Sequence, residues 1–365
     1  MPFAVFFFIE FFLWLRWVVF TGWRRSIAMM RLRGSEIAKR EGIPSFKLMK
    51  RVLLLSLFNC IPPSEIHAFR LYDDSRGRNI WNYVYTHELP AFHHWRNTRT
   101  GHEDRSNSLL QDKFRLSETL EVKGVPMVPV LAFLPRGGSF DPLSLFKTYQ
   151  GRLFCKPCHG SCSRDSFVME KKGGAIHIFS VKNGMISEPS TVEHLKETLT
   201  CDDVLVQQFI TNHPVFKKLC SSDDAVTLRL ITEIHPQNGL RCYCATLEIP
   251  NDSGRSRFFH TMLPVDLNSG EVLPFPTENL PELFSKRHDA MYNRLEQVTV
   301  PFWDEITESA LTAHQTLPGI YAIAWDYVIT PTGPFMLEGN AGWGTKIPQI
   351  LHGGLLKDIM GHQEV

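Results

Sequence analysis

Residues 320–340 read IYAIAWDYVITPTGPFMLEGN: two sheet-forming runs separated by a turn signal. β-Branched and aromatic residues mark both runs as strands. The intervening Pro-Thr-Gly suits a three-residue hairpin loop, with Pro331 presetting φ and Gly333 taking the left-handed conformation. With Thr330 opposite Pro334, Asp326 falls directly across from Glu338, and Asn340 shares their face. Ile323, Trp325 and Leu337 argue for a buried hairpin rather than an edge with solvated acids. Paired carboxylates in such a place repel unless a cation or a shared proton lies between them. The oxygen-only set of Asp326, Glu338 and Asn340 suits a hard ion such as Mg²⁺, which keeps waters and bridges phosphates.

A site that holds phosphates needs positive charge elsewhere in the chain. Lys156 ends the strand-like run GRLFCKP, just before a small-residue loop, GSCSRDS, whose amides and hydroxyls suit phosphate oxygens. Lys113, on the preceding helix, is a second candidate. Arg229, inside the apolar strand TLRLIT, is a third, because a guanidinium there requires a partner or an anion.

Overall charge narrows the partners. Lysine plus arginine (39) nearly balance aspartate plus glutamate (38), so no basic field marks nucleic acid as a partner. Eight cysteines in 365 residues are no disulfide framework, and a reducing environment is expected. Cys155, Cys158 and Cys162, with His159 among them, raise a zinc reading. The second half of such a site is not evident, since Cys242 and Cys244 are one residue apart in a strand, and alternation puts Cys155 and Lys156 on opposite faces.

The amino terminus departs from an ordinary soluble profile. MPFAVFFFIEFFLWLRWVVFTGW is about long enough to cross a bilayer, with Arg24, Arg25, Arg31 and Arg33 close behind. Glu10 and Arg16 interrupt it, each at a cost of roughly 2.5–3.5 kcal/mol at mid-span. It has neither a basic n-region nor a small-residue cleavage site, so a removable signal peptide is not expected. Membrane association through residues 3–23 is expected, as a span, as a helix in the interfacial plane, or as a helix docked on another subunit. The arginines would keep the rest of the chain on the cytoplasmic side.

Beyond this segment, SEIAKREG and SFKLMKRVLLLSLF read as amphipathic helices, and IPPSEIHAF as a helix entry. His93 and His94 are sequential and share no helix face, so they are read as core or surface residues rather than a metal pair. Residues 108–121 read as one helix, followed by strands in GVPMVPVLAFLP, GRLFCKP, VMEKKGGAIHIFSVKNG, DDVLVQQFI and 225–249. Helical signals at 285–297 and 303–316 precede the opening hairpin. The pattern is α+β with mainly antiparallel strands.

Taken in order, QDKFRLSETLEVKGVPMVPV, FCKPCHGSCSRDSF, VLVQQFI, AVTLRLIT, IAWDYVITPTGPFMLEGN and the later Gln349 resemble the ATP-grasp superfamily. They are most similar to its sugar-transfer associated members, over roughly residues 80–350. The resemblance implies an ATP-grasp fold, two α+β subdomains gripping ATP. The expected divisions are an apolar membrane-associated helix (1–25), a helical region (26–80), the first part of the catalytic module (81–150), a flap and hinge subdomain (151–210) and a metal subdomain (211–365). Lys113 and Lys156 match the lysines that hold ATP phosphates. Gly160, Ser161 and Ser163 belong to the flap over those phosphates. Gln207, Gln208, Phe209 and Ile210 match the hinge strand that holds adenine. Arg229 and Lys156 match the catalytic cations, and Asp326, Glu338 and Asn340 the ligands of Mg²⁺, or alternatively Mn²⁺. The flap departs from the family in having only Gly160 among residues 159–167, and Arg164 is a candidate to compensate.

The activity this implies is an ATP-dependent carboxylate–amine ligase working through an acyl phosphate, with a small-molecule or carbohydrate-linked substrate. Polysaccharide, cell-envelope or secondary-metabolite biosynthesis is the expected setting. His260 is a candidate base, although a core or surface role is the commoner case for a histidine. A kinase on the same fold is the alternative activity, and a non-catalytic scaffold a third reading.

Overall fold

The computed structural model describes residues 11–72, 79–101, 104–138, 141–159, 165–182, 185–190, 192–219, 223–250, 260–276, 280, 282–295 and 297–356. A helix from residue 11 passes through a π-helical stretch, Trp17–Gly22, into α1 (Trp23–Glu41). There follow α2 (Ser45–Asn59), α3 (Pro63–Ala68), α4 (Leu89–Arg99), α5 (Asp104–Gln111) and α6 (Lys113–Glu121). Next come β1 (Val130–Leu134), α7 (Pro142–Thr148), β2 (Arg152–Pro157), β3 (Ser166–Lys172), β4 (Ala175–Lys182), β5 (Met185–Ser190), α8 (Val192–Cys201) and β6 (Val204–Gln208). The chain continues through α9 (Pro214–Lys217), β7 (Thr227–His235), β8 (Gly239–Ile249), β9 (Thr261–Val265), α10 (Glu282–Tyr292) and α11 (Trp303–Gln315). It closes with β10 (Ala322–Thr330), β11 (Gly333–Asn340) and α12 (Lys346–His352).

Two compact units result. The first joins residues 1–92, 276–286 and 344–365, and the second joins 93–275 and 287–343. The first is helical. In α2, Leu48, Val52 and Leu55 recur on one face and are buried with Ile37, Ile61, Ile66 and Phe69. Gly42 ends α1 in the left-handed conformation (φ 66°), its N–H reaching the Ala38 carbonyl. Gln349 of α12 clamps the backbone of Val84, accepting from its N–H and donating to its carbonyl, both at 2.8 Å.

The second unit holds two sheets, of order β1-β6-β2-β3-β4-β5 and β11-β10-β7-β8-β9. Every strand pair within them is antiparallel. β10 is buried along its whole length because it lies between β11 and β7 with α11 packed on the same sheet. Cys155, Phe167, Met169 and Val206 fill the core of the first sheet.

Two local expectations change, and a third is only partly addressed. Residues 108–121 form two helices rather than one, because the Asp112 carboxylate accepts from the Phe114 and Arg115 N–H groups and starts α6 afresh. The hairpin after Thr330 has a two-residue loop: Thr330 pairs with Gly333, not Pro334. A bulge then leaves Leu337 without a partner and restores the pairing of Asp326 with Glu338. The third concerns the amino terminus. Among the described residues, no helix is long and apolar enough to cross a membrane. Its indoles are tied down: Trp14 donates to the Leu57 carbonyl at 3.0 Å and Trp17 to the Ser56 carbonyl at 2.7 Å, at the end of α2. Residues 1–10 of the expected segment lie outside the described residues.

Candidate active site

Strand alternation decides what β2 presents. Cys155 points into the core of its sheet, and Lys156, its neighbour, takes the opposite face. The Lys156 ammonium donates at 3.4 Å to the carbonyl of Leu337, the residue that the β11 bulge leaves without a cross-strand partner. Burial lowers its pKa to about 8, helped by the Lys113 charge and opposed by Glu338. Lys113 arrives from α6, whose first N–H is held by the Cys158 carbonyl at 3.2 Å. The ends of β2, α6 and β11 thus bring two lysines and a carboxylate together.

The other half of the site is an ion-pair network across β7, β8, β10 and β11. Asp326 pairs with Glu338 on one side and Arg229 on the other. Arg229 closes a fork on Asp326, Nε to Oδ1 at 2.8 Å and Nη2 to Oδ2 at 2.9 Å, while Nη1 lies 3.1 Å from Glu248 Oε1. Asp326, then Glu248, hold the guanidinium charged well above its ordinary range, against the effect of burial, and Glu338 adds to this. The cation that excuses two carboxylates in adjoining strands is therefore supplied first by the chain itself.

Asn340 donates to Glu338 Oε1 at 3.3 Å, so these two side chains meet on the same face. Glu338 and Asn340 are both half-buried. Their hard oxygen atoms fit a divalent cation such as Mg²⁺, with Asp326 shared with Arg229. Among the described residues, no group of three or more His, Cys, Asp and Glu side chains makes a metal site. The zinc reading finds no support there: Cys155 and Cys158 are buried with their thiol pKa values pushed up to about 12, and His159 Nδ1 bonds Asp202 at 2.8 Å. Cys162 lies outside the described residues, as do Gly160, Ser161, Ser163 and Arg164 of the expected flap.

The chain has counterparts among known proteins. The family model for sugar-transfer associated ATP-grasp proteins matches residues 97–362. The chain belongs to the sugar-transfer associated ATP-grasp family. No curated protein matches it. Among solved structures, it is similar to N5-carboxyaminoimidazole synthetase from Staphylococcus aureus complexed with ADP, at 10% identity and a TM-score of 0.39. That match covers 65% of this chain and 46% of the other, so the chain spans less than half of that relative's length. It is also similar to VanG D-Ala:D-Ser ligase from Enterococcus faecalis (14% identity, 70% and 62% of the two chains, TM-score 0.38). A third is D-alanine–D-alanine ligase from Bacillus anthracis complexed with ATP (12% identity, 70% and 66%, TM-score 0.39).

In this ATP-grasp protein, the residues expected to form the hinge carry structural bonds of their own. Gln207 is buried in β6 and donates to the Val128 carbonyl at 3.1 Å. Gln208 is exposed and Ile210 half-buried. The Phe209 ring lies under the Arg152 guanidinium, 4.1 Å from its centroid, and its N–H reaches the Arg152 carbonyl. His93 is buried, bonding the Tyr321 hydroxyl at 2.8 Å and the Trp343 carbonyl at 2.9 Å, while His94 is exposed. His260 stands just before β9. Sequence reasoning missed Glu248, whose signal was a lone acid in the apolar run CYCATLEI. It also missed Asp112, the cap that aims Lys113.

Proposed function

We propose that the protein is an ATP-dependent ligase that joins a carboxylate to an amine, or to a hydroxyl, through an acyl phosphate. The observation that carries this reading is the convergence of Lys156, Lys113 and Glu338 beside the Arg229–Asp326 fork. Lys156 and Lys113 would hold the phosphates of ATP. Glu338 and Asn340, with Asp326, would hold Mg²⁺, which when bound supplies charge neutralisation on the phosphoryl oxygens. A substrate carboxylate oxygen attacks the γ-phosphorus and the bond to ADP breaks. The amine then attacks the acyl carbon, loses a proton and expels phosphate. Lys156 and Arg229 oppose the charge that develops on the transferred group, so the chain's part is alignment and electrostatics. Gln207–Ile210 would line the adenine.

The acceptor we favour is carbohydrate-linked, in polysaccharide or envelope biosynthesis, with the catalytic unit on the cytoplasmic side of a membrane. Support comes from the family's description and from the apolar surface of Phe11, Phe12, Leu15, Val19 and Phe20, exposed beside Arg16, Arg24 and Arg25. The test is phosphate release with Mg²⁺·ATP against a panel of amino acids and sugar acids, with products followed by mass spectrometry. Phosphate release coupled to a new amide or ester, and abolished by Glu338→Gln, is the expected result. A stable phosphorylated product would instead make the protein a kinase, and failure to bind nucleotide would overturn the site.

A further inference from the structure

The helical unit contains a second charged cluster that the ligase chemistry does not use. His67, in α3, is only 3% exposed, and neither ring nitrogen has a hydrogen-bond partner. Buried polar atoms are nearly always paired, so two orphans on one imidazole require a reason. Four cations act on it: Arg33 and Arg40 from α1, Arg70 just after α3, and Lys346 at the start of α12. Burial first, then these charges, hold the ring neutral, with its pKa down to about 3. Tyr72 stacks on it, ring centroids 6.1 Å apart and planes inclined by 15°.

Arg33 exerts the largest of the four charge effects and carries orphans of its own. Its Nε and Nη2 are buried without a hydrogen-bond partner, and its contact with Glu36 is an ion pair at 3.7 Å. The described acids of this cluster have several partners each. Glu36 also faces Arg40 at 3.9 Å, Glu41 takes Arg40 and Arg70, and Glu65 accepts from the Thr86 N–H and hydroxyl. Four buried nitrogens, two on His67 and two on Arg33, thus have no hydrogen-bond partner, Arg33 Nη2 keeping only its long ion pair with Glu36. Lys346 is exposed and the Arg40 side chain partly so.

We propose that His67 and Arg33 form an oxyanion site in the helical unit that takes a phosphate group. A neutral imidazole offers one N–H and one bare nitrogen. Monohydrogen phosphate answers both, with an acceptor oxygen and a P–O–H donor, and still accepts the Arg33 fork. A carboxylate only accepts, and leaves one ring nitrogen orphaned.

The probe is inorganic phosphate, measured by equilibrium dialysis on the full chain carrying Lys156→Met, which removes the phosphate-holding lysine proposed for the other unit. Saturable binding is expected, weakened at least about tenfold by adding Arg33→Gln. Phosphate should also move the ¹⁵N signals of His67, assigned by their loss in His67→Gln. Lys346→Met, at the exposed member of the cluster, tests the same charge where Arg33→Gln disturbs folding, and should weaken binding too. A second arm uses vesicles of phosphatidic acid or of phosphatidylcholine. Arg33-dependent retention on the former alone assigns the phosphate to a lipid headgroup, and saturation by inorganic phosphate assigns it to a soluble compound. Absence of binding to either probe, or binding indifferent to Arg33 and Lys346 with His67 unmoved, overturns the site and leaves a hydrated cluster.

Discussion

Arg229 and Asp326 face each other from adjacent strands and close a two-point ion pair, at 2.8 and 2.9 Å, while a third guanidinium nitrogen meets Glu248. The pair is largely removed from water, so what matters is the cost of breaking it. Arg229→Met strands two buried carboxylates and should destabilise the chain by about 3–5 kcal/mol. Arg229→Lys keeps the charge, loses the fork and should fall between. Arg229→Met combined with Asp326→Asn should cost less than the two changes added together, with a coupling of about 1–3 kcal/mol. Urea denaturation of the four proteins measures this. Additive losses would mean that the two side chains are energetically independent.

Lys156 makes the site sensitive to pH. Its folded-state pKa of about 8 lies below the ordinary 10.5, so the unfolded chain binds more protons between those values. Stability should therefore rise with pH from about 8 towards 10.5, by no more than about 3 kcal/mol, and Lys156→Met should flatten that rise. Binding of ATP phosphates favours the charged amine, so it should take up a proton above pH 8. Affinity should then fall by roughly tenfold per pH unit there. Calorimetric titration with Mg²⁺·ATP at pH 7 and at pH 9.5 checks the sign. Equal affinities would remove Lys156 from the phosphate site.

The hairpin shows where the sequence was legible and where it was not. β-Branched and aromatic content marked both strands, and the face shared by Asp326, Glu338 and Asn340 followed from alternation. The pairing of Asp326 with Glu338 came out as expected, but by another route: a loop shorter by one residue, compensated by the bulge at Leu337. Turn residues and a bulge exchange at little energetic difference, so composition does not choose between them. The Arg229 fork was equally illegible, because it depends on which strand lies beside β10, a non-local choice. The buried, charge-surrounded His67 left no signal, since three of its four cations come from α1 and α12, far from it in sequence.

Gly339 separates Glu338 from Asn340, and its reason for being glycine is on the opposite face. A Cβ there would come within 2.5 Å of the Trp325 ring and 3.0 Å of Leu110. Trp325 has nowhere to go: it is fully buried and its indole N–H donates to Thr232 at 2.9 Å. Gly339→Ala should therefore destabilise the protein by about 1–3 kcal/mol through overpacking. It should also displace Glu338 and Asn340, so that Mg²⁺ is required at higher concentration for turnover. Thermal unfolding and a Mg²⁺ titration of activity test the two effects separately. An unchanged Mg²⁺ requirement in a destabilised protein would show that β11 shifts without moving its acids.

The helix that begins at residue 11 is held against α2. Trp14 and Trp17 bind it to the end of α2, and Gly22 is what allows the close approach, because a Cβ there would lie 2.6 Å from the Trp17 indole nitrogen. Phe12 and Phe20 face away from this contact, each 62% exposed, with Arg24 and Arg25 stacked over Trp23 and Trp17. Apolar rings beside arginines suit the interfacial zone of an anionic bilayer, while the indole contacts keep the helix against α2. The protein should therefore co-sediment with vesicles rich in phosphatidylglycerol and less with phosphatidylcholine alone. Phe12→Ser with Phe20→Ser should weaken this by about tenfold or more, at about 25 cal/mol per Å² of apolar surface withdrawn. Protection of residues 11–23 from proteolysis at the vesicle surface without exposure of any segment on the far side would place the helix in the interfacial plane. Co-sedimentation that ignores both the lipid charge and the two phenylalanines would remove the membrane from the reading and leave the apolar face for another copy of the chain.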